Sequence, residues 1–180
     1  MIELTCQANA NIGENKVAIA FEDCAPNGLR AGSPVMVVGN KKTVAQIVIN
    51  DAAQSGQVLM GATMRLNANV NEGETIRLRP LAAQAMQRIR FQPLVNDLDD
   101  ETFNAAIRSL RDVYVCKGAR FVVNINGEPI ELCATKVKPD HGWLVDETTV
   151  DAQNKAVRRR GANIPTVSFA DIGGLDDTIE

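Results

Sequence analysis

Two similar stretches, about 41 residues apart, constrain the fold of this 180-residue chain more than any other feature. Residues 29–37 align with residues 70–78: in each, an apolar residue lies three positions before a Gly turn, and a strand-like run follows. Strand-like runs before and after them recur at the same offset, residues 16–21 with 57–60 and residues 45–48 with 86–89. So short a unit cannot bury a core alone, so the two copies are expected to interlock.

Each copy predicts a strand, a short helix and two further strands. Pseudo-twofold interlocking of two such halves is how a double-psi β-barrel is built, and we therefore predict this barrel over residues 1–93. In this interpretation the segment from Arg88 to Phe91 is the closing strand of the barrel.

A second, smaller lobe is predicted over residues 96–152. The acidic run Asp99-Asp100-Glu101 suits a helix start, and apolar residues then recur at the spacing of one helix face, at Phe103, Ala106, Ile107 and Leu110. Asn126-Gly127 lies between two apolar runs, which is a strong hairpin signal. The predicted fold class is therefore mainly β with an α+β second lobe: a double-psi β-barrel followed by a small four-stranded β-barrel-like α+β subdomain.

Composition excludes several classes of function. The net charge of −3 argues against a general nucleic-acid binder. No apolar run reaches the length of a membrane span, and the N-terminus lacks a secretion signal, so a cytoplasmic protein is expected, also nuclear if the source is eukaryotic. The four cysteines are far apart and include no CxxC pair, which favours free thiols over disulfides and predicts no metal site.

The segment from Gly39 to Thr43 has some of the residues of a phosphate-binding loop. It lacks the earlier Gly of that motif, and Asn40 separates Gly39 from Lys41. It also lies between two apolar runs of strand length, which favours a turn over nucleotide binding. We predict no catalytic residues and no cofactor in this segment.

The end of the chain predicts a tether and the start of another module. Residues 153–166 hold an Arg triplet and Pro165 with little to bury, which predicts a linker; contact of the Arg triplet with phosphate or an acidic surface is the alternative. Residues 167–180, with Asp171-Ile172-Gly173-Gly174-Leu175, resemble the opening of an AAA ATPase module. The Gly-x4-Gly-Lys-Ser/Thr loop of such a module does not occur in the chain.

In this order, the parts resemble the N-terminal domain of the valosin-containing-protein family of AAA ATPases, including its archaeal members. The stretches that carry the resemblance are residues 29–49, 64–73, 136–150 and 169–175. The resemblance implies a non-catalytic domain that recruits adaptors or substrate proteins to a hexameric unfoldase or segregase, in protein quality control and ubiquitin-linked degradation. The implied partners are ubiquitin-like or UBX-type adaptors or short linear motifs, substrate proteins and the protein's own ATPase ring. ATP and Mg²⁺ would act only in the ATPase modules of the parent protein.

The resemblance also implies where partners bind, namely the groove between the two lobes. The implied groove residues are Arg30, Val48, Asn50, Ala85 and Asp112. Because Arg30 and Asp112 are charged and Ala85 is small, an adaptor with an apolar plug should bind weakly. From Arg30 we expect an acidic or polar ligand. Arg65 and Asn67 form a recurring Arg-x-Asn motif whose role is either structural, within the barrel, or to face the ATPase ring.

Two other classes stay open. One is the N-terminal domain of a membrane-fusion relative of the same motor family, which has a similar two-lobe plan. The other is an enzyme, because double-psi barrels also occur in decarboxylases and aspartic proteases. Such an enzyme needs a self-processed serine or paired carboxylates in a cleft, and no Asp-Thr/Ser-Gly triplet is present.

Overall fold

The structure, a computed structural model, describes residues 1–153 and 155–157. The described strands and helices are, in chain order, β1 (Ile2–Ala8), β2 (Lys16–Ile19), β3 (Pro34–Val38), β4 (Lys42–Ile49), β5 (Gln57–Met60), α1 (Ala62–Ala68), β6 (Thr75–Pro80), β7 (Arg88–Pro93), α2 (Asp100–Arg108), β8 (Tyr114–Cys116), β9 (Arg120–Ile125), β10 (Glu128–Lys138), β11 (His141–Trp143) and β12 (Thr149–Ala152). Two short 3₁₀ helices, Phe21–Asp23 and Ala25–Asn27, follow β2. The predicted linker beyond residue 157 and the predicted AAA opening at 167–180 lie outside the described residues.

The first lobe is a closed barrel of six strands in the order β1-β5-β2-β4-β3-β6. In its two antiparallel pairs between the halves, Ala18 lies opposite Leu59 and Val37 opposite Leu78. Each of these four residues thus faces its own repeat partner, which is what a twofold axis through the barrel requires. The predicted interlocking of the two halves is confirmed.

One predicted strand lies elsewhere. β7, expected to close the barrel, instead pairs with β10 and β12 of the second lobe. The barrel position is filled by β1, in which Thr5 lies opposite Gln57 just as Gln46 of β4 lies opposite Lys16. β7 leaves the barrel because Ile89 and Phe91 are buried in the core of the second lobe.

The barrel interior is filled by branched and sulfur-containing side chains that alternate along the strands. It includes Leu4, Cys6, Val17, Ile19, Val35, Val37, Ile47, Met60, Ile76 and Leu78. Gly39 forms the turn between β3 and β4, as predicted. A Cβ at Gly39 would lie 2.6 Å from the Ala68 carbonyl oxygen and from Val70 Cγ1, so the glycine permits close packing of this turn against the end of α1.

The second lobe packs α2 and the β8–β11 ribbon against a four-stranded sheet of order β12-β7-β10-β9. The Phe91 and Phe121 rings meet edge to face with centroids 6.1 Å apart. Asp99 caps α2, since its carboxylate accepts a 2.7 Å hydrogen bond from the Thr102 N–H. Asn126 and Gly127 have φ values of 53° and 84°, as the predicted turn between β9 and β10 requires. The predicted fold class is confirmed.

Candidate functional site: the groove between the lobes

A groove of about 460 Å³ lies where the two lobes meet. We call it the interlobe groove. From the barrel it is lined by Glu14, Asn15, Lys16 and Gln46, and from the second lobe by the segment Ser109–Tyr114 and Val123. Strands β4 and β8 approach each other beside it, where the Thr43 hydroxyl and the Cys116 thiol lie 3.6 Å apart. The groove is therefore formed by both lobes, and its width depends on how they are held together.

One contact between the lobes is made by side chains of the barrel to the free edge of β9. Among the described strands, β9 pairs only with β10, so the main-chain groups on its other edge need partners from outside the sheet. The Asn67 amide donates to the Arg120 carbonyl at 3.0 Å and accepts from the Arg120 N–H at 2.9 Å. Two residues on, the Val122 N–H donates to Glu14 Oε1 at 2.8 Å. Asn67 and Glu14 thus act as a substitute for a neighbouring strand.

Glu14 is a half-buried acid of the groove wall. Burial raises the pKa of its carboxyl above the usual 4.5, while hydrogen bonds from the Val122 N–H and the Thr63 hydroxyl act in the opposite direction. The carboxylate is therefore stabilised by its hydrogen bonds and destabilised by the loss of hydrating water. Lys16, two residues further along the chain, brings a positive charge to the same wall.

Asn15 forms part of the groove floor in a left-handed conformation, with φ of 60°. It is 4% exposed, and its side-chain N–H donates to the Tyr114 carbonyl across the lobe boundary. Its Oδ1 accepts no hydrogen bond from any described residue. Asn is among the few residues that adopt this backbone conformation at little cost, which explains its position between Glu14 and Lys16.

Tyr114 also lines the interlobe groove. Its ring is buried and lies edge to face with Trp143, with centroids 5.0 Å apart. Its hydroxyl lies 2.6 Å from His141 Nδ1, and burial raises the pKa of the tyrosine. The single His and the single Trp of the chain therefore hold Tyr114 in place. The main-chain carbonyl of Tyr114 accepts the hydrogen bond from Asn15.

Of the predicted groove residues, Asp112 lines the interlobe groove, exposed and with φ of 65°. Arg30 is exposed in the loop before β3. Val48 packs against a small cluster of Ile12, Ala18, Ala53 and Leu59. Asn50 closes a turn, with its Oδ1 accepting from the Ala52 N–H at 2.8 Å, and exposed Ala85 bridges to Trp143. The structure thus brings Asp112 together with Glu14 and Lys16 rather than with the other four, whose contact with a ligand stays a prediction.

The two polar residues of the Arg-x-Asn motif have different environments. Asn67 makes the lobe contact described above, whereas Arg65 has a buried Nε without a hydrogen-bond partner among the described residues. The Arg65 charge acts to lower the pKa of the Cys6 thiol in the barrel, although burial of Cys6 outweighs it and raises that pKa. Contact of Arg65 with the ATPase ring stays a prediction.

Sequence reasoning missed Glu14, Lys16 and Gln46, which line the barrel side of the groove. The only local signal was the turn-forming run Gly13-Glu14-Asn15 before β2. Among the described residues, no group of three or more potential metal ligands occurs. Nor is any helix in the described part of the chain both long and apolar enough to cross a membrane.

No family model matches the sequence. The chain is 25% identical over 154 residues to the "Cell division cycle protein 48 homolog" of Archaeoglobus fulgidus, a match that covers 82% of this chain. The matched part is 21% of the length of that relative, so the chain corresponds to about a fifth of it. This match and the closed six-stranded barrel confirm the predicted resemblance to the N-terminal domain of the valosin-containing-protein (CDC48) family of AAA ATPases.

Proposed function

We propose that this chain is a non-catalytic recognition domain that brings adaptors and substrate proteins to a hexameric AAA unfoldase. The proposed setting is cytoplasmic protein quality control and ubiquitin-linked degradation. The observation that carries the proposal is the interlobe groove, because a cleft between two lobes is a natural peptide site. The similarity to a CDC48 homolog along most of the chain supports the same assignment and favours it over a membrane-fusion relative.

The chemistry of the groove indicates which ligands suit it. Its walls carry two acids, Glu14 and Asp112, and two bases, Lys16 and Arg111. Arg111 is already paired with exposed Asp146, which leaves Lys16 as a base with no described ion-pair partner. An apolar plug would have to dehydrate these charges without replacing their hydrogen bonds, which is costly. A polar segment can instead form hydrogen bonds with these charged groups.

The nucleotide chemistry belongs elsewhere in this proposal. No Gly-x4-Gly-Lys-Ser/Thr loop occurs in the sequence, and ATP with Mg²⁺ would be bound by the ATPase modules of the parent protein. The part played by the present domain is selection of what reaches that motor.

Binding of labelled peptides to the isolated chain tests the groove. We expect an uncharged polar peptide rich in Asn, Gln and Ser to bind more tightly than an apolar peptide of equal length, measured by fluorescence anisotropy. The paired substitutions Lys16→Gln and Asp112→Asn should weaken that binding about threefold to tenfold, because each removes a charged hydrogen-bonding group from the walls. Lys117→Gln and Asp140→Asn, at exposed positions outside the groove lining, form the matched control. Equal or better binding by the apolar peptide contradicts the polar assignment.

A second experiment separates the two classes of motor. The chain, immobilised, is offered purified ubiquitin-pathway adaptors and purified fusion-complex adaptors in parallel. We expect retention of the former, reduced by the Lys16→Gln and Asp112→Asn pair. Retention of the fusion adaptors alone would reassign the domain.

A further inference from the structure

The outer face of the second-lobe sheet carries a concentration of positive charge that shares no residue with the described lining of the interlobe groove. Alternate residues of β7 and β10 point away from the core, since Ile89 is buried and Val137 packs against the same core. The outward residues between them are all basic, namely Arg88, Arg90, Lys136 and Lys138. We call these four the basic face.

The pairing register places like charges directly opposite one another. Lys136 lies opposite Arg90, and Lys138 lies opposite Arg88. Opposed like charges destabilise an antiparallel pair, and a single acidic substitution on either strand would relieve each of them. On the other side of β7, Asp151 of β12 lies opposite Arg90 and offsets part of this repulsion. The Lys136–Arg90 and Lys138–Arg88 pairs are still unfavourable, which points to a role other than folding.

The charge is only partly neutralised by the protein itself. The four basic residues, Val137 and Asp151 line a hollow of about 280 Å³. Asp151 is the one carboxylate among these described lining residues. Arg88 Nε lies 3.3 Å from Asp151 Oδ2, and both side chains are substantially exposed, at 63% and 38%. Among the described ion pairs, none involves Arg90, Lys136 or Lys138.

The spacing of the cations fits an extended chain. Alternate residues of a strand are separated by about 6.6 Å, and facing residues by about 5 Å. An extended peptide with a carboxylate at every second position repeats at the same interval, so it can run along β10 or β7 with each carboxylate near a cation. The carboxylate–guanidinium pairs at Arg88 and Arg90 would add bidentate hydrogen bonds.

We propose that the basic face is a second recognition surface, which binds an extended acidic segment of a partner protein. A protein ligand fits better than nucleic acid for two reasons. Binders of single-stranded nucleic acid usually add exposed aromatic rings on which bases stack, and no aromatic residue lines this hollow in the described part of the chain. The net charge of the chain, −3, also opposes a long polyanion, whereas a short acidic segment meets only the local positive charge.

The test is a fluorescence-anisotropy titration of the whole chain with a labelled nine-residue peptide that has Glu at every second position and Gly or Ser between. The same peptide with Gln in place of Glu is the matched probe. We expect the Glu peptide alone to bind at 50 mM salt, and its affinity to fall several-fold at 300 mM, because the paired charges are exposed and screened. The Lys136→Gln and Lys138→Gln double variant should bind it about fivefold more weakly or worse.

Two controls locate the effect. The double variant Lys41→Gln and Lys42→Gln makes the same charge change at the exposed β3–β4 turn and should leave binding unchanged. The groove pair Lys16→Gln and Asp112→Asn should also leave it unchanged, so this result is separable from the groove proposal. Equal binding of the Glu and Gln peptides, or equal losses in all three double variants, overturns the assignment.

Two further measurements make the proposal more specific. Lys136→Glu and Lys138→Glu should raise the thermal midpoint, because each creates an opposed pair of unlike charge, and should abolish peptide binding. A fall in the midpoint would contradict the reasoning from opposed charges. An oligodeoxythymidine of similar length is the nucleic-acid arm: tighter binding than the Glu peptide, lost in Lys136→Gln and Lys138→Gln, would overturn the protein-ligand assignment.

Discussion

Glu14 shows how one side chain serves two purposes at the lobe boundary. Its carboxylate satisfies the Val122 N–H on the edge of β9, and it also lines the interlobe groove. Burial raises its pKa, so the charged form is less favourable in the folded protein than in the unfolded chain. The residue therefore provides a hydrogen bond that glutamine could also provide, together with a charge that folding alone does not favour.

Replacing Glu14 with Gln should therefore stabilise the protein at neutral pH. Because the folded pKa is raised, the wild type loses stability as pH rises from the ordinary value of 4.5 through the folded value, whereas Glu14→Gln does not. We expect a gain of about 0.5 kcal/mol or less at pH 7, limited by solvent screening, and no difference near pH 3.5. Urea unfolding at the two pH values measures it.

The matched control is Glu22→Gln, at an exposed position in the first 3₁₀ helix, which should behave like the wild type at both pH values. A loss of stability in Glu14→Gln at pH 7 would mean that the carboxylate charge is favoured, against the direction of the pKa shift.

At the scale of single elements, the edge of β9 is one of the places where the two lobes are joined. Asn67 on α1 offers a donor and an acceptor to the same residue, Arg120, as a neighbouring strand would. Since Arg120 is half-buried, its N–H and C=O could not be fully hydrated if the amide were removed.

Asn67→Ala should accordingly destabilise the protein by about 1–3 kcal/mol, because it leaves two main-chain groups of β9 without partners. Chemical denaturation measures the loss, and amide hydrogen exchange at Arg120 should accelerate. Asn104→Ala, on the exposed side of α2, is the control and should be neutral or slightly stabilising, since Ala favours helices. Unchanged exchange at Arg120 in the Asn67 variant would show that the contact does not hold this edge.

How much of each element was predictable depends on the range of its interactions. The α2 helix and the Asn126-Gly127 hairpin were predicted because apolar spacing and turn chemistry are local. The contacts of Asn67 with Arg120 and of Glu14 with Val122 span 53 and 108 residues. No local sequence pattern predicts contacts at such separations. Asn67 was singled out only through the resemblance, and Glu14 not at all. The basic face was likewise hidden, because it depends on the register between β7 and β10.

At the scale of the whole molecule, the barrel consists of two related halves and is closed by β1. The repeat was visible in the sequence, but the same offset continued into residues 86–89, which led to β7 being expected in the barrel. The competition between β1 and β7 is decided by tertiary packing: Leu4 and Cys6 are buried in the barrel core, and Ile89 and Phe91 in the other.

Leu4→Ala tests the place of β1 in the barrel. Leu4 is 1% exposed, so the substitution should leave a cavity and cost about 2–5 kcal/mol. Urea unfolding followed by circular dichroism measures it, and Trp143 fluorescence reports the second lobe separately. Leu66→Ala is the control, because Leu66 is 53% exposed and its loss should cost less than about 0.5 kcal/mol. Similar costs for the two would show that β1 is dispensable.

The entry of β1 from the start of the chain also explains why a second lobe can exist. In the first half of the barrel, β3 is followed by a short turn and then by β4, which pairs with it. In the second half, the corresponding place beside β6 is already occupied, with Ile2 opposite Leu78. The chain after Pro80 therefore does not have to provide the last strand of the barrel. Those residues can instead form the second lobe, which is the opposite wall of the groove.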